Sequence, residues 1–118
     1  MSDVAEALLR RVDVEGRVAA TWLRRLVTGL GVGLLETPRA GWQALTYHHP
    51  EAGYVVGIFP RRGHAQLVIE HGASMEAFAD LFDRVGKQVG TIVVTTVPDE
   101  RADRIQDVVL ATISSRCM

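Results

Sequence analysis

The stretch YVVGIFPRRGHAQLVIEHG, residues 54–72, decides the fold of this chain. Its two apolar segments, YVVGIF and HAQLVIEH, flank PRRG, a short connection that ends in glycine. Glycine adopts the positive φ that a tight hairpin requires. A third segment, WQALTYHH, lies upstream and is joined to the first by PEAG, a connection of the same kind. The sequence therefore predicts three antiparallel strands in series.

Helical patterns and one further strand surround these three strands. The remaining predicted elements are helices at residues 3–12 and 15–30, a glycine-rich loop with a short strand at 29–41, a helix at 74–85, a strand at 91–96 and a helix from Pro98. Ser74 is expected to cap the helix at 74–85, which Gly86 would end. The fold class predicted for a single domain over residues 1–118 is α+β: an antiparallel sheet of about four to five strands, with N- and C-terminal helices packed on one face.

The two connections set an expected register. A four-residue turn at 60–63 places Phe59 opposite His64, and a turn at 50–53 places His48 opposite Val55. Side chains alternate between the two faces of a strand. The face that the helices should cover carries Leu45, Tyr47, Tyr54, Val56, Ile58, Ala65, Leu67 and Ile69. The other face is mixed and carries Trp42, Ala44, Thr46, His48, Val55, Gly57, Phe59, His64, Gln66, Val68 and Glu70.

The mixed face is the candidate functional surface. A sheet face left to solvent is normally polar, yet Trp42 and Phe59 are expected near each other here, with a hollow at Gly57. Exposed aromatic patches often mark partner or ligand surfaces. The alternative, of equal weight, is that segment 29–41 or the helix at 74–85 covers the patch. The candidate binding residues for a ligand or partner are Trp42, Thr46, His48, Val55, Phe59, His64 and Gln66.

The histidines are not expected to bind a metal ion. In the predicted register His48 and His64 lie roughly 17 Å apart, whereas zinc ligands bond the ion at about 2.0–2.3 Å. His71 shares the parity of the helix-covered face, which favours a structural role. The sequence shows no nucleophile motif, phosphate-binding loop or dinucleotide fingerprint. We therefore expect no catalytic residues and no cofactor, and an enzyme with a small pocket beside segment 29–41 is the alternative.

Composition narrows the expected partners. The chain has 13 Lys and Arg against 14 Asp and Glu, for a formal net charge of −1. This balance predicts no general attraction to nucleic acid or to anionic membranes. No apolar run approaches the roughly 18 to 20 residues that span a bilayer, and the single cysteine, Cys117, cannot form an intrachain disulfide. We expect a cytoplasmic protein that binds another protein, a small molecule or a second copy of itself as a homodimer.

The run RAGWQALTYHHPEAGYVVGIFPRRGHAQLVIEHGASM, followed by GKQVGTIVV, resembles the YdhG-like family of bacterial proteins of unknown function. The resemblance covers about residues 40–95 and includes the aromatic strand of Trp42 and Tyr47, the GIFP segment at 57–60 and the EHGA segment at 70–73. It implies a compact α+β, frataxin-like fold. Some relatives are described as frataxin-like iron chaperones that hold iron with acidic surface residues. That role would fall here to Asp99, Asp103 and Asp107, as the alternative to binding on the mixed face.

Overall fold

The computed structural model describes residues 3–117, apart from the side chains of Asp3 and Ala73. The helices of this part of the chain are α1 (Asp3–Arg10), α2 (Val14–Thr28) and α3 (Ala102–Arg116). The strands are β1 (Leu35–Arg39), β2 (Ala44–His49), β3 (Gly53–Arg61), β4 (His64–Ile69), β5 (Arg84–Val85) and β6 (Gly90–Val94). They form one antiparallel sheet in the order β1-β2-β3-β4-β6-β5. The predicted α+β class is confirmed, and the described residues form a six-stranded sheet instead of one with four to five strands.

All three helices pack on one face of the sheet. A single buried cluster joins the apolar side chains of the helices to one side of the strands. From the helices it contains Leu8, Leu9, Ala19, Leu23, Val27, Ile105, Val108 and Val109, and from the strands Leu45, Tyr47, Val56, Ile58, Leu67, Ile69, Ile92 and Val94. Removal of this apolar surface from water is the main source of folding free energy. Among residues 3–117, no helix is long and apolar enough to cross a membrane.

Helix α2 is fixed to the β3–β4 turn at its N-terminus. Asp13 caps the helix, since its Oδ1 accepts hydrogen bonds from the backbone N–H of Gly16 and of Gly63, each 2.9 Å long. The helix then crosses the end of β3 so closely that a Cβ on Gly16 would lie 2.0 Å from the carbonyl oxygen of Arg61. Only glycine fits at this crossing without a shift of the backbone.

The β3–β4 hairpin is tighter than the predicted one. Its loop consists of Arg62 and Gly63 alone, with Gly63 at a φ of 80°. His64 therefore pairs with Arg61, and Phe59 pairs with Gln66. The predicted pairing of Phe59 with His64 is wrong by two positions. Because the shift is even, it leaves every β4 side chain on its expected face.

An irregularity between β2 and β3 changes the expected faces at the start of β3. Tyr47 pairs with Val56, but the next β2 residue, His48, pairs with Tyr54, so that Val55 is the extra residue of a β-bulge. A bulge inverts the alternation of side chains on its far side. Val55 is consequently fully buried in the core cluster, and Tyr54 lies on the opposite face. The predictions for these two residues were both wrong, for this one reason.

The segment between β4 and β6 differs most from expectation. Residues 74–85 do not form an α-helix; they contain part of the short 3-10 turn Gly72–Ser74, the 3-10 turn Glu76–Leu81 and strand β5. Ser74 is not a helix cap, because its hydroxyl donates to the carbonyl of His71. Arg84 and Val85, at the end of the predicted helix, instead form strand β5, which pairs with β6. The last helix also begins later than predicted, at Ala102 instead of near Pro98.

Candidate functional site

The second face of the sheet is free of helices throughout residues 3–117. Pairing register and alternation place on it Leu35, Thr37, Arg39, Ala44, Thr46, His48, Tyr54, Gly57, Phe59, Arg61, His64, Gln66, Val68, Arg84, Thr91 and Val93. We call this surface the open face. None of these residues belongs to the cluster that the helices cover. Leu34 of segment 29–41 and Phe78 of segment 74–85 pack against that cluster instead, so neither segment covers the open face.

Two arginine–aromatic pairs lie at one end of the open face. Trp42 stands in a 3-10 turn before β2, not on a strand as predicted, and 57% of its surface is exposed. The Arg39 guanidinium carbon lies 5.6 Å from the centroid of its ring. On β3, the Arg61 guanidinium carbon lies 5.2 Å from the ring centroid of Phe59. Both distances are within the range of a cation–π contact.

A glycine allows the aromatic side chains of β3 to meet over the middle of the open face. A Cβ on Gly57 would lie 2.7 Å from the Tyr54 hydroxyl oxygen and 3.0 Å from the Phe59 ring. The Tyr54 ring in turn contacts the His48 ring, with 5.4 Å between centroids. Burial, together with the Glu70 carboxylate, raises the pKa of Tyr54, so its hydroxyl is neutral at physiological pH. Phe59, Tyr54 and His48 thus lie next to one another on the open face, and we call these three side chains the aromatic strip.

Most of the predicted site residues lie on or beside the open face. The exceptions are Val55, which the bulge places in the core, and Thr46, which is 1% exposed and donates its hydroxyl hydrogen bond to Thr37 O. His64 contacts Gln66, with 3.4 Å between their Nε2 atoms. The neighbours of His48 and His64 on β3 are Tyr54 and Arg61, which lie seven positions apart, or roughly 23 Å along an extended strand. The two histidines therefore cannot share one metal ion.

Sequence reasoning missed three residues of this surface: Arg39, Tyr54 and Arg61. Tyr54 was missed because the bulge is not visible in the pattern of residues. Arg39 lay in a segment interpreted as a loop, and Arg61 was interpreted as part of a turn, whereas both belong to strands. The one usable signal was the presence of an arginine within three positions of each aromatic residue at this end of the sheet.

Basic and acidic residues of the strands lie on different faces of the sheet. Arg39, Arg61 and Arg84 lie on the open face, and Arg62 lies at the tip of the β3–β4 turn. Of the 14 acidic residues, Glu70, directly after β4, has the parity of this face. The strands contain one acidic residue, Glu36, which lies on the helix side. A chain with a net charge of −1 therefore has one positively charged sheet face.

A buried cluster of polar groups lies on the opposite face, where β1 meets α2. Tyr47 donates a hydrogen bond of 2.6 Å to Glu36, and Arg24 donates two more, of 2.7 and 2.8 Å, to the same carboxylate. Burial opposes ionisation of Glu36, but the hydrogen bonds from Arg24 and Tyr47 outweigh it and lower its pKa. Burial and the Glu36 carboxylate raise the pKa of Tyr47. No buried side-chain polar atom of the described residues lacks a partner, so this cluster is understood as the link that holds the edge strand to α2.

The acidic residues predicted as an iron site are not brought together as a site. The Asp99 carboxylate accepts hydrogen bonds from the Arg101 guanidinium at 3.0 and 2.7 Å, which lower the pKa of Asp99. Asp103 and Asp107 are exposed on α3. Within residues 3–117, no group of three or more His, Cys, Asp or Glu side chains is placed to hold a metal ion.

The chain matches no family model, no curated protein and no solved structure. Membership of the YdhG-like family stays a prediction. The function therefore has to be inferred from the geometry of the open face.

Proposed function

We propose that this protein is a non-catalytic binding module whose open face takes a planar, negatively charged ligand. The observation that carries the proposal is the aromatic strip of Phe59, Tyr54 and His48, which is uncovered and stands beside the Arg39–Trp42 and Arg61–Phe59 pairs. The strip supplies a surface for a flat apolar group, and the arginines supply the positive charge.

The residue types on this surface favour recognition. Tryptophan, tyrosine and arginine are the residues most enriched among those that dominate binding energy at interfaces. Aromatic rings bury a large area and lose little conformational entropy on binding. A guanidinium can stack on a ring and still bind a carboxylate or phosphate through its edge. Arg39 and Arg61 already have this stacked arrangement, so the binding groups are partly positioned in the free protein.

A thermal-shift screen tests the proposal. The panel contains planar aromatic carboxylates and phosphates, non-aromatic anions of equal charge, and divalent metals including ferrous iron. A ligand at 100 times its dissociation constant stabilises the fold by about 2.7 kcal/mol, which raises the melting temperature of a domain of this size by roughly 10 °C. We expect stabilisation by planar anions, lost in the Phe59→Ala variant. Val18→Ala, which truncates an exposed side chain on α2, is the matched control and should retain it.

Other results of the same screen would overturn the proposal. Stabilisation by iron that disappears in an Asp103→Asn/Asp107→Asn variant would identify an iron-binding protein. A ligand effect that is unchanged in Phe59→Ala but lost in Thr21→Ala would place the site in the groove of about 540 Å³ between α1, α2 and β1, which Thr21 lines. A second copy on the open face would appear as a dimer in sedimentation experiments, and Phe59→Ala would dissociate it.

A further inference from the structure

We infer that the ligand of the open face is a single-stranded nucleic acid, an inference that rests on the function proposed above. Its bases would stack on the exposed ring of Trp42 and on the half-buried rings of the aromatic strip, and its phosphates would contact the surrounding arginines. Stacking platforms combined with a positive surface are the two elements by which proteins bind unpaired strands.

The aromatic residues of the open face are spaced for more than one base. Trp42 stands at one end of the sheet with 57% of its surface exposed, while the aromatic strip runs along β3 from Phe59 to Tyr54. His48 extends the strip onto β2. β3 has nine residues, so the face is roughly 30 Å long. Such a length accommodates about four nucleotides, the lower end of the site sizes of single-strand binding domains.

The charge pattern fits a phosphate backbone. Arg39 and Arg61 flank the Trp42 end, Arg62 lies at the adjoining turn, and Arg84 lies on β5 at the far edge of the sheet. Two carboxylates lie near these arginines: Glu70, at the end of β4 beside Tyr54, and Asp13, whose Oδ1 accepts from Gly63 N in the turn next to Arg62. The four arginines outnumber them. The sequence-based expectation of no nucleic acid relied on the net charge, which sums over both faces. A nucleic-acid strand that lies on the open face contacts mainly the charges of that face.

The shape of the surface favours an unpaired strand over a duplex and over an acidic peptide. The aromatic side chains lie on a sheet flanked by no protruding helix that could enter a groove, and a duplex hides the base faces that these rings would stack against. An acidic peptide would use the arginines but would leave the aromatic strip without a planar partner. A base with its phosphate uses both.

Fluorescence anisotropy with labelled oligonucleotides tests the inference. The probes are U12 and dT12, with a 12-base-pair duplex, inorganic polyphosphate and a polyglutamate peptide as competitors. We expect both single strands to bind, and unlabelled single strand to displace them at least tenfold better than either base-free polyanion. With three phosphate contacts, affinity should fall about 20-fold between 50 and 200 mM salt, because the logarithmic slope for single strands is about −0.7 per contact.

Variants separate stacking from charge. Phe59→Leu keeps an apolar side chain but removes the ring, and we expect it and Trp42→Ala each to weaken binding by about fivefold or more. Arg39→Gln/Arg61→Gln should reduce the magnitude of the salt slope by about 1.4. The control Arg10→Gln/Arg11→Gln removes two exposed charges from the end of α1 and should change affinity by less than about twofold.

Each remaining outcome contradicts the inference. Equal displacement by polyphosphate, with Phe59→Leu unchanged, would show nonspecific attraction to any polyanion. Tighter binding of polyglutamate would indicate an acidic protein partner, and preference for the duplex would exclude base stacking. If no oligonucleotide binds but Phe59→Ala abolishes stabilisation by a small planar anion, the inference fails and the proposed function stands. If neither class of ligand depends on Phe59, both fail.

Discussion

The two faces of this sheet are built from the same strands but differ in what their residues do. On the helix side, alternate residues such as Ile58, Leu67 and Ile69 are fully buried, and the charged groups there are paired. On the open side, the residues between them are of mixed type, such as Gly57, Phe59 and Gln66, and Arg39 and Arg61 stack on rings. The comparison indicates that one face forms the packed core of the domain, while the other is the surface at which we propose binding. Substitutions on the two faces should therefore have different consequences.

The largest difference in loss of stability is expected between substitutions of two neighbouring residues on β4. Leu67 is fully buried, whereas Val68 is partly exposed on the open face. Leu67→Ala should lower the free energy of unfolding by about 2–5 kcal/mol because it leaves a cavity in a packed core. Val68→Ala should cost less than about 1 kcal/mol. Urea denaturation of both variants measures this difference, and equal losses would mean that the open face is also packed.

The next largest effect concerns the buried cluster of Tyr47, Glu36 and Arg24. Glu36→Gln leaves the nearly buried Arg24 with only its longer, 3.4 Å contact to Glu6 and should cost about 2 kcal/mol, and Tyr47→Phe should cost about 1–2 kcal/mol. The exposed pair of Asp80 and Arg104, with an N–O distance of 2.6 Å, is the control. Asp80→Asn should leave the denaturation midpoint nearly unchanged, because an exposed ion pair contributes little to stability. Similar losses at both pairs would contradict the distinction between buried and exposed pairs.

Two glycines, one on each side of the sheet, allow the effect of a single added methyl group to be compared between the two faces. A Cβ on Gly16 meets a backbone oxygen, and a Cβ on Gly57 meets the ends of two side chains on the open face. Gly16→Ala should destabilise by about 1–3 kcal/mol because the backbone has to shift. Gly57→Ala should stay within about 0.5 kcal/mol, since the rings can move toward solvent, yet it should weaken ligand binding by displacing them. Thermal denaturation in parallel with a binding titration checks both outcomes.

The smallest effect is a dependence of stability on acid pH. In the folded state the pKa of Glu36 is lowered from 4.5 and that of Asp13 from 3.8. Groups with a lowered folded pKa contribute stability that is present above their unfolded pKa and lost as the pH falls through the folded value. The melting temperature should therefore decline below about pH 4.5. This decline should be shallower in Glu36→Gln, and an identical decline in that variant would show that Glu36 does not contribute to it.

The sequence was sufficient to predict the parts of the fold that depend on periodicity and turn residues. The α+β class, three strands in series and the identity of most core residues followed from alternation and from glycines such as Gly63. The bulge at Val55 could not be predicted, because both Tyr54 and Val55 are compatible with either face. Strand β5 was missed because its local sequence has a helical pattern. Its two residues form a strand only through pairing with β6, which the local pattern does not reveal.

The candidate site could be predicted only in part, for a related reason. Strand parity assigned His48, Phe59, His64 and Gln66 to the open face, whereas Trp42 was predicted on a strand and stands in a turn beside that face. The positive charge of the open face was not apparent from the sequence. Arg39, Arg61 and Arg84 come from three strands and lie on the same face only once the sheet has formed. The net charge of the chain therefore concealed the property of the surface that bears most on its ligand.

The most direct test of the division between the two faces is an amide NMR titration of the full chain. The probes are the planar aromatic carboxylates and phosphates of the thermal-shift panel, with non-aromatic anions as the reference. The division of roles predicts concentration-dependent shifts confined to residues 39–48, 54–61 and 64–68, with α2 and α3 unaffected. Shifts confined to α1, α2 and β1, or to the acidic residues of α3, would contradict it.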